Sequence, residues 1–308
     1  MEPTSSNSIG VYESPHQQIL LPSEKGLDAN KNSNSSAPEV ISALRAHWPE
    51  YLMEAAELGV FMIAACIFSV LLFHPVSPVT QLLRSETLRR VAMGTAMGST
   101  AIAIVFSPFG KRSGAHFNPA VTLVYLRLGK VKPWDAAFYT LFQFSGGIVG
   151  VVLASMLLGN LITDRAVNYA ATVPGSWGVF PAFVAEGVIS FILMSTILTV
   201  SNTKRLGRWT GLFAGALVAT YISIESPISG MSMNPARTFG SASVGSIWSS
   251  LWIYFTAPPL GMLMAAETYK RLKGDAAVAC AKLHHHNNKR CIFRCNFEKS
   301  RKLSACAV

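Results

Sequence analysis

GAHFNPAVT at 114–122 and GMSMNPARTFGSA at 230–242 write Asn-Pro-Ala twice in one chain. Each copy follows a glycine-bearing turn and stands at the end of a long apolar run. The grammar is that of a helix start: an asparagine side chain caps free N–H groups, and proline at the first helical position loses no hydrogen bond. From Asn118 to Leu126 is nine residues, a helix of about 14 Å. A bilayer core is about 30 Å thick, so such a stub reaches halfway. Irregular backbone at that depth is tolerated only where protein or a water-filled cavity satisfies it.

The surroundings are those of a polytopic membrane protein. Half of the 308 residues are hydrophobic and 14% are charged, against about 25% in a soluble domain. Six apolar stretches, at 52–73, 88–107, 134–158, 179–201, 207–226 and 247–267, approach the roughly 20 residues that a spanning helix needs. Residues 1–44, rich in Ser, Asn, Glu and Pro and without an apolar run near the start, read as a disordered tail rather than a cleaved signal. A membrane domain covers 45–273, and a basic tail covers 274–308. Within the domain, about 50–158 and about 179–268 repeat one pattern: three spans, with a half-helix between the second and third. Three is odd, so the second half is inserted upside down relative to the first. Paired interrupted segments in two halves point to a site near the midplane. The predicted fold is an all-α membrane protein of six transmembrane helices plus two re-entrant half-helices in an inverted repeat.

Charge sets the orientation. Lys111, Arg112, Arg127, Lys130 and Lys132 fall between spans two and three, Lys204, Arg205 and Arg208 between spans four and five, and a basic tail follows span six. The opposite side carries Arg84, Arg89, Arg90 and Arg165. The excess places both termini in the cytoplasm of a multi-pass cell-membrane protein. It also accounts for the net charge of +10 without nucleic acid as a partner. Cys66 stands alone in the first span, and Cys280, Cys291, Cys295 and Cys306 lie in a tail expected to be reduced. His284-His285-His286 beside Cys291-x3-Cys295 does not have a standard finger spacing, and little apolar sequence surrounds it. The expectation is a solvated tail that touches anionic lipid, with no metal and no cofactor.

The doubled motif resembles the signature of the major intrinsic protein family, the aquaporins and glycerol facilitators. Glu54 and Glu186 early in spans one and four, Gln143-x-x-Gly146 in span three, and Pro258 and Gly261 in span six extend the resemblance over about 50–268. It implies an aquaporin-like bundle assembled as a homotetramer with a pore in each subunit. Asn118, Pro119, Ala120, Asn234, Pro235 and Ala236 would then form the pore motifs. Two helix N-termini meeting there present positive dipole ends that repel cations, hydronium included. The two asparagine amides would donate to the oxygen of a passing water and interrupt a proton-conducting wire. By resemblance Arg237 belongs to the outer constriction, an arginine at membrane depth being a functional residue by default. Offsets from the asparagines assign Gly98, Ile222 and Met231 as its companions. Gly94-x3-Gly98 and Gly211-x3-Gly215 also suit close helix packing, a second reading of Gly98. His116 lines the inner vestibule or braces its loop. Glu54, Glu186 and Gln143 brace the half-helix loops, and Glu57 has no assignment.

A Gly–Ile–Met–Arg filter lacks the Phe/His pair that narrows water-selective members around a single water. It favours small uncharged solutes such as glycerol, urea, ammonia, hydrogen peroxide or metalloid acids alongside water. Thr238, Ala242 and the Tyr254-Phe255 pair resemble water channels instead. The expected function is a passive channel for water and small neutral solutes that excludes protons and ions, with strict water selectivity as the alternative. The spans hold no nucleophile, metal site or acid–base pair of an enzyme. Their only Asp is Asp135, at the very start of the third stretch, and a lone terminal carboxylate of this kind argues against an ion-coupled transporter. A structural bundle with little flux fits the same sequence.

Overall fold

The computed structural model describes residues 38–274 and 277–297. Among the described residues these α-helices follow one another: α1 (Glu39–Phe73), α2 (Pro78–Leu82), α3 (Glu86–Phe106), α4 (Pro108–Ser113), α5 (Pro119–Arg127), α6 (Pro133–Leu158), α7 (Val179–Ser201), α8 (Thr210–Ile224), α9 (Ser226–Ser229), α10 (Pro235–Gly245) and α11 (Leu251–Lys273). The described residues contain no strand. α1, α3, α6, α7, α8 and α11 are the six spans, and α5 and α10 are the half-helices. α1, α7 and the helical run Pro133–Thr163 are each long and apolar enough to cross a membrane by length and composition. α8 has 15 residues, about 22 Å of helix, and the turn of α9 continues its path.

The spans pair in an arrangement that respects the two halves. α1 packs on α6, α7 packs on α11, and α3 of the first half meets α8 of the second. The half-helices cross over: α10 lies on α6 and α5 on α11. Small residues allow these approaches, as is usual where lipid removes the hydrophobic drive between helices. A Cβ added to Gly146 would fall 2.1 Å from the Ala55 carbonyl oxygen of α1, and one added to Gly261 would fall 2.2 Å from the Gly187 carbonyl oxygen of α7. The two contacts are counterparts.

Both ends of the membrane domain differ from the sequence reading. α1 begins at Glu39, not at 52, so the tail predicted over 1–44 gives way to helix within its last residues; 1–37 lie outside the described residues. The early turns hold because they have partners elsewhere. His47 Nδ1 and the Tyr51 hydroxyl both bond Asp135 Oδ1 of α6, at 2.7 and 2.6 Å. Tyr51 also stacks on Phe138. At the other end, 277–297 is not a solvated strand of basic residues. Val278, Ala281, Leu283, Ile292 and Phe293 are buried within the main core. The apolar side chains there are few, but they join the core of the bundle. Residues 298–308, with Cys306, lie outside the described residues.

Candidate functional site

The two Asn-Pro-Ala loops are built alike, residue for residue. Gly114, Ala115 and Phe117 have positive φ of 107°, 56° and 31°, and Gly230, Met231 and Met233 have 79°, 51° and 54°. Left-handed backbone at non-glycine residues is strained by about 1–3 kcal/mol each and persists only where the surroundings over-determine it. Here a buried glutamate does so in each half. Glu54 accepts from the His116 and Phe117 N–H groups at 2.9 and 2.6 Å and from Gln143 Nε2 at 2.6 Å. Glu186 accepts from the Ser232 and Met233 N–H groups at 2.7 Å each, and from the Ser229 hydroxyl at 2.7 Å. Two tyrosines complete the bracing, Tyr139 donating to the Ser113 carbonyl and Tyr254 to the Ser229 carbonyl. Glu57, which the sequence left without a role, accepts from the Ser113 hydroxyl at 2.6 Å.

Asn118 and Asn234 cap α5 and α10. Asn118 Oδ1 accepts from the Ala120 N–H, and Asn234 Oδ1 accepts from the Ala236 and Arg237 N–H groups. Their amide nitrogens then cross to the opposite loop. Asn118 Nδ2 donates to the Met233 carbonyl at 2.8 Å, and Asn234 Nδ2 donates to the Phe117 carbonyl at 2.7 Å. The two motifs are therefore tied to each other. A carboxamide nitrogen carries two hydrogens, so each keeps a second N–H beyond this tie. Pro119 and Pro235 open their helices, and Ala120 and Ala236 lie buried behind them.

A cavity of about 280 Å³ runs along this junction. Asn118 and Asn234 line it, as do Ile222, Met231 and Arg237. Arg237 Nη1 donates to the Ala170 carbonyl at 2.7 Å, which holds the guanidinium at the wall. Gly98 does not line the cavity, contrary to the assignment by offset. Its missing side chain points at α8, where a Cβ would fall 2.5 Å from the Gly215 carbonyl oxygen and 2.8 Å from the Ala219 Cβ. This geometry supports the packing reading of Gly98. α3 turns Met93, Met97 and Ala101 to the cavity instead.

The tail segment reaches the cavity at the His116 side. Leu283 of the tail is part of its wall. His116 lines the cavity and also braces it: Nε2 donates to the Ala281 carbonyl at 2.8 Å, and Nδ1 meets the Thr122 hydroxyl at 3.1 Å. Its ring lies between Tyr125 and Phe293, with centroids 5.1 and 5.4 Å away. Lys282 Nζ donates to the carbonyls of Lys111, Lys289 and Arg290 at 2.8, 3.1 and 2.7 Å, and burial holds this ammonium below the usual lysine range. Main-chain bonds fasten the rest, from the Leu283 N–H to the Gly114 carbonyl and from the Arg294 N–H to the Lys130 carbonyl.

Sequence reasoning passed over Met97 and the bracing pairs Ser113/Ser229 and Tyr139/Tyr254, and it read the tail as solvated. The bracing pairs had a signal. Serine precedes the loop glycine in both halves, and each tyrosine precedes Gln143 or Pro258 by four residues.

The sequence model of the family described as Major intrinsic protein matches residues 42–269. Among curated proteins, Aquaporin NIP1-2 of Arabidopsis thaliana is 33% identical over 63% of this chain and 66% of its own length. Aquaporin NIP1-4 of rice (Oryza sativa subsp. japonica) is 35% identical over 59% and 66%. Aquaporin NIP6-1 of Arabidopsis thaliana is 35% identical over 58% and 57%. The chain thus aligns with somewhat less than two thirds of each relative. Among solved structures, the aquaglyceroporin from Plasmodium falciparum superposes with a TM-score of 0.59, covering 73% of this chain and 96% of that one at 19% identity. That likeness is one of fold.

Proposed function

The chain belongs to the major intrinsic protein family, and from that premise we propose that it is a passive transmembrane channel for water and small uncharged solutes, not an enzyme. The observation that carries the reading is the pair of cross-tied asparagines on one cavity. Each amide spends one N–H on the opposite loop and leaves the other for a passing oxygen. The N-termini of α5 and α10 add positive dipole ends, and Arg237 adds a full charge. Cations are disfavoured there and neutral molecules are not.

The filter in this reading is Met97, Ile222, Met231 and Arg237. Three of the four are apolar, and two are flexible thioethers that adapt to a guest. A wall of this kind with a single fan of N–H donors suits a molecule with one carbon-bearing face and one hydroxyl face, such as glycerol. The signals for strict water selectivity weaken on inspection. Tyr254 is engaged with Ser229, and Phe255 packs with Phe144 and Phe239. Urea, ammonia, hydrogen peroxide and metalloid acids share the lack of charge and the small size. The assembly is a homotetramer in a cell membrane, with both termini cytoplasmic, as the family resemblance and the basic loops suggest.

Stopped-flow light scattering on proteoliposomes tests the proposal, with the full chain and the Phe293→Ala variant, which loosens the segment over one mouth. Water and glycerol permeabilities should exceed those of empty vesicles in at least the variant, without a proton leak. Permeabilities equal to empty vesicles in both would overturn it. Water flux without glycerol flux would select the water-only alternative.

A further inference from the structure

The segment 277–297 poses a physical problem. It is irregular almost throughout, yet 280–284 and Ile292-Phe293 are buried against the bundle. A stretch of about 20 residues cannot form a core of its own, and small folds of this kind depend on a staple. Four side chains meet inside it. The Sγ atoms of Cys280, Cys291 and Cys295 and a ring nitrogen of His285 all lie within 4.8 Å of one another. Cys280 Sγ and Cys291 Sγ are 3.5 Å apart, and Cys295 Sγ is 3.0 Å from His285 Nε2. Donors about 2.0–2.3 Å from a shared tetrahedral centre stand about 3.3–3.8 Å from each other. The two short pairs lie close to that range, and the 4.8 Å envelope of all four donors is somewhat wider, so small side-chain shifts would close the set on one ion. The Cys280–Cys291 separation is also far from the roughly 2.05 Å of a sulfur–sulfur bond.

We propose that Cys280, His285, Cys291 and Cys295 form a Cys3His site for a zinc ion, and that the ion folds this segment into a plug over the tail-side mouth of the channel. The spacing, Cys-x4-His-x5-Cys-x3-Cys, is not that of a standard finger, which is why the sequence alone argued against a site. The ring of donors is closed by the fold of the segment, not by adjacent pairs. Three sulfurs and one imidazole without a carboxylate select a borderline-soft ion over magnesium or calcium. A preformed site is absent from an unfolded tail, so the binding free energy is also the free energy that orders the plug.

The plug follows from what the ligands bracket. Ala281, Lys282 and Leu283 lie between Cys280 and His285, and Ile292, Phe293 and Arg294 lie between Cys291 and Cys295. These are the residues that cover His116, seat on the Gly114 loop and reach the cavity wall. A Cβ added to Gly114 would fall 2.7 Å from the Phe293 ring, so the fit at this mouth is tight. Zinc loading would hold the mouth shut and zinc loss would release it. This second half rests on the channel reading given above; the metal site does not.

The experiment uses the purified full chain under reducing conditions. Elemental analysis should find about one zinc per chain, and cobalt substitution should give the visible d–d bands of a tetrahedral thiolate site. Both should be lost in Cys291→Ser/Cys295→Ser. Less than a tenth of an equivalent of zinc, copper in its place, or a Cys280–Cys291 disulfide in the intact mass would overturn the site. In proteoliposomes, a membrane-permeant zinc chelator should raise water permeability several-fold in the wild type. It should not change Cys291→Ser/Cys295→Ser, which should be open from the start. Bound zinc whose removal leaves flux unchanged, while Phe293→Ala conducts, would overturn the plug. If no form conducts water, the channel reading fails and the zinc result stands by itself.

Discussion

Met97 and Gly98 are neighbours on α3 that face different surroundings, since one residue step along an α-helix is a turn of about 100°. Met97 is on the cavity wall and Gly98 is pressed against Gly215 and Ala219 of α8. Substitutions at the two sites should therefore separate selectivity from stability. Met97→Ala removes wall atoms from the lumen and should raise glycerol permeability several-fold relative to water in vesicle assays. Gly98→Ala places a methyl group against backbone, a change that costs about 1–3 kcal/mol in a tight core. It should lower the melting temperature of the detergent-solubilised protein and leave the glycerol-to-water ratio near that of the wild type. A selectivity change at Gly98 with full stability would contradict the assignment. Sequence offset locates the turn of helix but not which of its neighbours meets the cavity, because rotational phase depends on how the loop before Asn118 is folded.

At the scale of elements, the half-helices stand because a glutamate in α1 and another in α7 each bind a strained loop. Each carboxylate accepts three hydrogen bonds. Removing one leaves buried donors without a partner, at about 1–3 kcal/mol apiece. Glu186→Ala should thus lower thermal stability strongly and abolish water flux, as followed by tryptophan fluorescence and light scattering. Glu186→Gln retains an acceptor oxygen and should lose less. Glu54→Ala should behave as Glu186→Ala does, since the two loops have the same construction. An unchanged melting temperature in either alanine variant would show that the loops keep their shape without the carboxylate. These roles were legible beforehand: a carboxylate is expensive in an apolar span unless hydrogen bonds surround it. The donors themselves were not legible, because His116 and Ser232 are 62 and 46 residues from the glutamates they reach.

For the whole molecule, the basic loops and the packed tail share one side of the bundle. In the proposed orientation that side is cytoplasmic. An epitope fused after Val308 should be protected from added protease in intact cells and cleaved once the membrane is permeabilised, and cleavage in intact cells would reverse the topology. The tail is the part of the molecule that sequence reading treated least well. Its composition is that of a solvated segment, with His284 to His286, Lys289, Arg290 and Arg294 in close succession. Burial there is decided by what lies opposite: the Gly114 loop, His116 and the start of α6 present carbonyls and aromatic faces that the tail meets.

The doubled Asn-Pro-Ala, the lengths of the apolar runs and the odd number of spans in each half were enough to settle the inverted bundle and its two half-helices. Those features act within one or two turns of chain, through capping, proline geometry and the thickness of lipid, so they can be read locally. Tertiary structure alone decided that Gly98 faces a neighbouring helix while Met97 faces the cavity, that each asparagine bonds the opposite loop, and that three cysteines and a histidine converge in the tail. Each of these depends on the rotation of a helix or the meeting of segments far apart in the chain, where packing, and not local preference, chooses the outcome.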